Sequence, residues 1–397
     1  MKDLLLIYSA IYILFFLINR RCNKVFLLNV LLYISASFAA WYIYDIFFLG
    51  DTIYISAVLY HILMTLLLLI PLKYIDLKHS YINITPYSVV KYLAYIIIFL
   101  SFISIILDVP KINFARMMVH IHSIREEMQD GAFNINNPIL NYLSYWGGKY
   151  WSVALALAFY YMSYYPNKRK TIICLIIASL SCVISGFVVG AREYLMKYIY
   201  IFIILLYCFN TRLANKWSKI IKVCFVVFTS LFCFIFLLIT FLRFSENNNT
   251  LTESMLSYFG EGNIYFSQYF NEFPQGLADG KIRFPIFAGG MISPYRLDER
   301  FVVNTPLNIF PTTIGSWVLD VGVYLTIIVT LIHYFVFKHV AQRKMTIFNI
   351  IYIVWIYEFI FSSLFFYNEV LNTSRLLSIL FIIFLDYLSK KNVKSFT

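Results

Sequence analysis

Arginines near the ends of apolar runs and in two long polar segments are the residues of this sequence best suited to chemistry. The guanidinium group is a planar fork that can bond two phosphate oxygens together, whereas the lysine ammonium acts as a point charge. Eight arginines, against only Lys111 and Lys281, are predicted to share the outer side of a membrane. This set predicts binding of an anionic ligand that carries phosphate, such as a diphosphate lipid. The eight are Arg116, Arg125, Arg192, Arg243, Arg283, Arg296, Arg300 and Arg375.

Arg192 leads this set because it lies in a short turn between two apolar runs, at the end of the stretch SGFVVGARE. Gly186 and Gly190 in this stretch are four residues apart, a spacing that permits close backbone approach or a broken helix. A charge near the hydrocarbon needs a partner or a wet cavity. We predict that Arg192 binds phosphate; the alternative is that it pairs with Glu193 or caps the neighbouring helix ends.

Three further residues have both a functional and a structural interpretation. Arg243 and Arg375 lie at the ends of apolar runs, where an arginine side chain also reaches lipid headgroups. Asp320 lies inside an apolar run, about two turns below its outer end, so it is either a site residue or a buried, hydrogen-bonded structural group.

Proton acceptors on the same predicted side are His120, His122, Glu126 and Glu261. A general base must lie within hydrogen-bond reach of the proton that it removes, so the sequence leaves all four open. The spacing also predicts a short helix over Phe114–Met128. That helix would present either a polar face to a substrate or solvated charges at the membrane interface.

These residues must be positioned by membrane-spanning helices, because the composition excludes a soluble protein. The chain has 397 residues, 61% apolar and 13% charged, with a mean hydropathy of +0.75. A typical soluble domain has about 25% charged and about 45–50% apolar residues. This excludes a cytoplasmic enzyme, a nucleic-acid-binding domain and a disordered scaffold. No cofactor and no metal site is predicted, since no CxxC or His/Cys ligand spacing occurs.

Continuously apolar runs predict an all-α, polytopic membrane protein of about eleven transmembrane helices. The net charge of +12 mainly reflects how the chain is oriented in the membrane, because 19 of the 32 Lys and Arg residues fall in one set of loops. The positive-inside rule makes that set cytoplasmic, with the N-terminus outside and the C-terminus inside. The apolar runs are 4–19, 25–44, 52–72, 92–109, 138–163, 171–189, 194–210, 221–242, 313–336, 346–366 and 374–389.

Two extended extracytoplasmic loops, 110–137 and 243–312, interrupt what is otherwise a single integral membrane domain over 1–397. Connections of this length in a compact protein are usually functional or disordered. The second loop is rich in aromatic residues, which favours a packed subdomain over the membrane rather than disorder.

This layout resembles the Wzy-type polymerases, which join lipid-linked oligosaccharide repeat units into O-antigen or capsular polysaccharide. Ser185–Arg192 looks like the small-residue–Arg turn of that family, and Tyr258–Phe266 resembles the glycine-bearing start of its large loop. Asn304-Thr305 followed by Asp320-Val-Gly322 resembles its Asn-Thr and Asp-x-Gly pattern. Val323 stands where the family often has a further glycine.

The resemblance implies metal-independent glycosyl transfer at the outer face of the bacterial cytoplasmic membrane. The donor is a glycan on undecaprenyl diphosphate, and the acceptor is the non-reducing sugar of a second lipid-linked repeat unit. Arg192 and Arg243 would neutralise the departing diphosphate, while Arg283, Arg296 or Arg300 would bind the second diphosphate or the glycan. The implied partners are these lipids, the bilayer and a membrane protein that regulates chain length.

Other classes of membrane protein share parts of this pattern. A ligase that transfers the finished glycan to lipid A has the same overall plan. A flippase for lipid-linked oligosaccharides would favour an even number of helices, internal repeats and short loops. A lipid-linked-sugar glycosyltransferase with an acidic pair in its first outer loop ranks lower, because Asp45 and Asp51 are six residues apart.

Overall fold

A computed structural model of the protein describes residues 2–48, 52–75, 82, 84–112, 138–189, 193–244, 250–271, 312–364 and 379–387. Every regular element in these ranges is helical. The chain forms two compact units, which are described separately below. Unit 1 comprises residues 1–76, 252–343 and 359–383, and unit 2 comprises residues 77–251, 344–358 and 384–397.

Thirteen α-helices can be defined within the described ranges. Short 3-10 turns cover Lys2–Leu4, Ile70–Tyr74 and Val109–Lys111, and residues 379–387 are also helical. In chain order the helices are α1 (Leu5–Ile18), α2 (Lys24–Phe47), α3 (Ile55–Leu69), α4 (Tyr87–Asp108), α5 (Pro138–Lys149), α6 (Trp151–Tyr164), α7 (Arg169–Ser179), α8 (Ser181–Val189), α9 (Glu193–Phe209), α10 (Asn215–Phe244), α11 (Leu251–Tyr269), α12 (Thr313–Gln342) and α13 (Ile347–Ser362).

Six helical segments among the described residues are long and apolar enough to cross a bilayer. The prediction of an all-helical protein with membrane-spanning helices is therefore confirmed. The other predicted apolar runs coincide with shorter helices, such as α1, α9 and α13, so the number eleven stays a prediction. The six segments are Lys24–Phe47, Ile55–Tyr74, Tyr87–Lys111, Arg169–Val188, Asn215–Ile235 and Thr313–Gln342.

Large apolar side chains on the outer surfaces of both units face away from the protein. Tyr92 and Phe99 on α4 are 66% and 64% exposed, and Tyr324 and Phe335 on α12 are 84% and 62% exposed. A soluble protein rarely exposes apolar surface so extensively. These faces are compatible with contact to lipid chains, whereas the polar residues described below are turned inward.

Helix α2 begins at a capped turn that also ties it to the end of α3 within unit 1. The side-chain oxygen of Asn23 accepts a hydrogen bond from the Phe26 backbone N–H at 2.7 Å, as an N-cap residue does. The amide of Asn23 donates to the carbonyls of Leu72 and Ile75 at 3.1 and 3.0 Å. One side chain therefore satisfies backbone groups at two helix ends.

Helix α11 lies in the region 243–312, which the sequence predicts to be an extracytoplasmic loop. A Cβ at Gly260 would lie 2.4 Å from the backbone nitrogen of Ala40, so α11 packs on α2 at backbone contact. The serines, glutamates and glycines of α11 interrupt any apolar run, which explains why the hydropathy pattern did not indicate a helix. Residues Leu251–Tyr269 of this region thus form a helix that packs on α2.

Candidate functional site

Unit 2 contains a group of polar side chains around the carboxylate of Asp108, the last residue of α4. Ser185 on α8 donates to Asp108 Oδ2 at 3.0 Å, and Lys111 Nζ lies 3.1 Å from Oδ1. Ser104 and Ser144 donate to the same carboxylate at 3.4 Å each. Burying a carboxylate is costly unless its oxygens accept hydrogen bonds. Here four donors, from three helices and a 3-10 turn, supply those bonds. We call these five residues the Asp108 cluster.

Two adjacent glycines of α5 allow the helices around the Asp108 cluster to approach each other. A Cβ at Gly147 would lie 2.0 Å from the carbonyl oxygen of Leu100, so α5 and α4 meet at backbone contact. Ser101 Oγ donates to the Gly147 carbonyl at 3.3 Å across this contact. A Cβ at Gly148 would lie 3.3 Å from Ser104 Oγ and 3.4 Å from Ser185 Oγ, so Gly148 borders the cluster itself.

The Asp108 cluster joins the starting points of two predicted substrate-binding segments. Asp108 and Lys111 immediately precede the segment 113–137, and Ser185 begins the stretch that leads to Arg192. The hydrogen bond between Ser185 and Asp108 therefore joins α8 to the end of α4, the two helices that precede these segments in the chain.

A second polar group of unit 2 lies just after the predicted Arg192 turn. Glu193, the first residue of α9, pairs with Lys197 one turn later at 2.6 Å. Glu358 on α13 is buried and accepts a hydrogen bond from Ser152 Oγ at 3.2 Å. The Glu193 carboxylate thus already has a cationic partner, which weakens the alternative that Arg192 is present to neutralise it.

In unit 1 the glycine-bearing helix α11 joins the ends of two other predicted substrate-binding segments. A Cβ at Gly262 would lie 3.2 Å from Thr312 Cγ2 and 3.4 Å from the carbonyl oxygen of Leu364. Thr312 follows the segment 272–311, and Leu364 precedes the segment 365–378. We call Gly262, Thr312 and Leu364 the Gly262 junction.

The Gly262 junction is held by a buried histidine of α3. His61 Nε2 lies 3.0 Å from Thr312 Oγ1, and the Phe266 ring centroid lies 4.7 Å from that of His61. Thr312 has φ 31°, an unusual value for a residue other than glycine, and its hydroxyl accepts from the Gly315 N–H at 3.4 Å to cap α12. His61 thus helps hold Thr312 in the conformation that caps α12.

Asp320 lies two turns into α12, immediately before a break in that helix. Gly322 has φ 82° and ψ 169°, which interrupts the helical backbone in the middle of a segment long enough to span a membrane. Tyr60 Oη donates to the Val323 carbonyl at 2.8 Å, and Thr326 Oγ1 donates to the Gly322 carbonyl at 2.7 Å. Side-chain hydroxyls thus donate hydrogen bonds to the carbonyls at the break. Such bonds are needed because hydrocarbon surroundings offer backbone groups no water as a partner.

Replacing Gly322 with alanine is expected to lower the stability of the protein measurably. The φ and ψ of Gly322 fall in a region that is essentially restricted to glycine, and occupying it with another residue costs roughly 1–3 kcal/mol. The check is the midpoint of thermal unfolding of the purified protein in detergent. Leu325→Ala is the control, because Leu325 lies on the same helix and is 53% exposed; equal midpoints for the two variants would contradict the prediction.

Of the predicted site residues, Glu261 and Asp320 have side chains that the structure describes. Glu261 accepts a hydrogen bond from Ser257 one turn earlier on α11, and Asp320 is buried. Arg243 lies in the last turn of α10, and its side chain is outside the described part of the structure. The remaining predicted residues, which lie outside the described residues, are Arg116, His120, His122, Arg125, Glu126, Arg192, Arg283, Arg296, Arg300, Asn304 and Arg375.

Sequence reasoning missed Asp108 as a candidate, included Ser185 only as part of the small-residue–Arg turn, and favoured a structural core role for His61. Asp108 stands at the end of an apolar run and looks like an ordinary interfacial charge. Its spacing of four residues from Ser104 was the one available signal, because that spacing places both on one helix face. Within the described ranges, no three His, Cys, Asp or Glu side chains converge as a metal site would require.

Comparison of the chain with protein-family models, with curated proteins and with solved structures finds no match. The arrangement of the residues themselves therefore carries the functional argument.

Proposed function

We propose that this protein is a membrane glycosyltransferase that polymerises oligosaccharide repeat units linked to undecaprenyl diphosphate. The reaction would take place at the outer face of the bacterial cytoplasmic membrane and would yield O-antigen or capsular polysaccharide. The acceptor hydroxyl attacks the anomeric carbon of the donor glycan, and the diphosphate leaves with the electron pair of the broken C–O bond.

The observation that carries the proposal is that the predicted phosphate-binding segments start or end at two fixed contacts. In unit 2, the segments bearing Arg116, Arg125 and Arg192 start at the Asp108 cluster. In unit 1, the Gly262 junction holds the end of the segment bearing Arg283, Arg296 and Arg300 and the start of the segment bearing Arg375. Binding elements that continue from well-packed helices suit a substrate whose reacting groups must be positioned precisely.

Arginine suits the departing diphosphate better than lysine does. Its fork donates two hydrogen bonds in fixed geometry, and a positioned cation stabilises the charge that develops as the C–O bond breaks. In the proposal, Arg192 and Arg243 carry this role, while Arg283, Arg296 and Arg300 bind the second diphosphate or the glycan. His120, His122, Glu126 and Glu261 remain the candidates for the group that removes the acceptor proton.

Deleting the gene and resolving the surface polysaccharide on a gel tests the proposal. We expect single repeat units in place of the long-chain ladder, and restoration of the ladder by a plasmid copy of the gene. Loss of a polymerase stops growth after one unit because the flippase and the ligase still operate. Normal long-chain polymer in the deletion strain would refute the proposal.

A flippase for the same lipids is the second candidate, and one observation favours it. Broken membrane helices commonly form the substrate and ion sites of transporters, and α12 is broken at Gly322, two residues after the buried Asp320. The deletion experiment separates the classes: loss of a flippase leaves neither single units nor polymer on the surface. Loss of a ligase, the remaining alternative, leaves polymer that is not attached to lipid A.

A further inference from the structure

Three lysines lie on the first turns of α10 in unit 2. Lys216, Lys219 and Lys222 follow one another at intervals of three residues, so they are neighbours on the helix surface, and all three are exposed. Lys216 also lies in the first turn, where the helix dipole disfavours a cation and where no acidic residue is present. The start of α10 therefore concentrates positive charge that the helix itself does not compensate.

The start of α10 is fixed against the turn that precedes α7, which brings a fourth lysine to the same end of unit 2. Trp217 is buried, and its Nε1 donates a hydrogen bond to the Pro166 carbonyl at 3.2 Å. Lys168, two residues after Pro166, is exposed, and its ammonium lies 5.7 Å from the centroid of the Tyr87 ring. We call Lys168, Lys216, Lys219 and Lys222 the lysine patch.

No carboxylate neutralises the lysine patch within the described part of the chain. The ion pairs found there join other residues, and the stretches 164–175 and 209–224 contain no aspartate or glutamate. Like charges that are held close together repel one another, and an anion placed among them removes that repulsion. The patch is therefore suited to an anionic ligand from outside the protein.

The lysine patch borders an apolar surface that is compatible with lipid contact. Of the six membrane-spanning segments, Asn215–Ile235 is the least buried. Val223, Val226 and Val227, which follow the lysines on α10, are 64%, 63% and 59% exposed. A ligand that contacts both parts of α10 needs an anionic group joined to hydrocarbon chains. An anionic phospholipid has this form, and clusters of basic residues beside a membrane helix are typical of binding sites for such headgroups.

We infer that the lysine patch binds the phosphate of an anionic phospholipid, whose acyl chains lie along the exposed valines of α10. The phosphate oxygens accept hydrogen bonds from the lysine ammonium groups, each of which has three N–H donors. The inference is independent of the proposed function, because no step of the polymerisation uses these lysines.

Binding of phosphatidylglycerol to the purified full-length protein in neutral detergent tests the inference, with the bound lipids counted by native mass spectrometry. We expect phosphatidylglycerol to bind more tightly than phosphatidylcholine, whose headgroup carries no net charge. Lys216→Gln combined with Lys219→Gln should weaken phosphatidylglycerol binding about 25-fold, because each basic residue near an anionic headgroup contributes a factor of about five. Lys216→Arg combined with Lys219→Arg keeps both charges and should bind nearly as well as the wild type.

Arg20→Gln combined with Arg21→Gln is the matched control. Both arginines are exposed and lie between α1 and α2 in unit 1, so their replacement removes the same charge without touching the patch. We expect this variant to keep the wild-type affinity for phosphatidylglycerol. An equal loss in the two glutamine variants would overturn the inference, since total charge would then control binding. Equal affinity of the wild type for the two lipids would overturn it as well.

Competition with glycerophosphoglycerol, the same headgroup without acyl chains, tests the lipid part of the inference. We expect it to displace little bound phosphatidylglycerol, because the free headgroup buries no apolar surface against the valines. The reference competitor is a second phosphatidylglycerol with chains of another length, which is distinguished by its mass. Equal displacement by the two competitors at one concentration would indicate a site for free phosphate anions and would overturn the lipid assignment.

Discussion

Replacing Arg192 with alanine is expected to lower the rate of polymerisation by about 100-fold or more, which is the effect of removing a principal donor to a developing anion. The guanidinium is proposed to neutralise the diphosphate as it leaves, and no water molecule can supply the same fixed charge. Arg192→Lys is expected to retain part of the activity, because it keeps the charge and loses the two-pronged geometry. The measurement is chain elongation of lipid-linked repeat units by purified protein in liposomes.

Arg169→Ala is the control for this prediction. Arg169 is the first residue of α7, is exposed and belongs to the predicted cytoplasmic set, so its removal should leave elongation unchanged. Normal elongation by Arg192→Ala, at a normal level of protein in the membrane, would remove Arg192 from the reaction. Full activity of Arg192→Lys would instead show that charge alone is needed.

Replacing Gly147 with alanine is expected to prevent unit 2 from folding normally. The added Cβ would lie 2.0 Å from the carbonyl oxygen of Leu100 and 2.9 Å from Ser104 Cβ. Because the nearest atoms belong to the backbone of α4, no side-chain rotation relieves the contact, and α5 and α4 must separate. We expect a loss of roughly 3 kcal/mol or more in the free energy of unfolding, at the upper end of overpacking effects.

The neighbouring glycine supplies the control for the Gly147 prediction. Gly148→Ala places its Cβ against serine hydroxyls at 3.3–3.4 Å, which small shifts can accommodate. We expect this variant to give a normal yield of monodisperse protein and a nearly normal thermal midpoint. Equal yields and midpoints for the two variants would contradict the packing argument.

The sequence predicts the positions of apolar helices because lipid contact requires long apolar runs whatever the tertiary arrangement is. Helices α2, α4 and α12 coincide with predicted runs for this reason. Helix α11 could not be predicted in the same way, because its glycines face the α2 backbone and the ends of other segments rather than lipid. Likewise, the break at Gly322 depends on a φ of 82° that the Asp-x-Gly pattern alone does not imply.

At the candidate sites, the sequence shows which residue types are present, but it does not show which residues they contact in the fold. The surplus of arginine over lysine in the predicted outer segments indicates phosphate binding from side-chain chemistry alone. Which residues meet depends on which helices pack together. Asp108 accepts a hydrogen bond from Ser185, 77 residues away, and Gly262 lies against both Thr312 and Leu364.

The sequence by itself determined that this is a helical membrane protein, because hydropathy is a local property and the bilayer acts on each segment separately. Its arginine-rich segments likewise indicated an anionic ligand. Only the tertiary structure decided which helices meet at the Asp108 cluster and at the Gly262 junction. Contacts between residues far apart in the chain arise from close helix packing, and single-residue chemistry does not encode them.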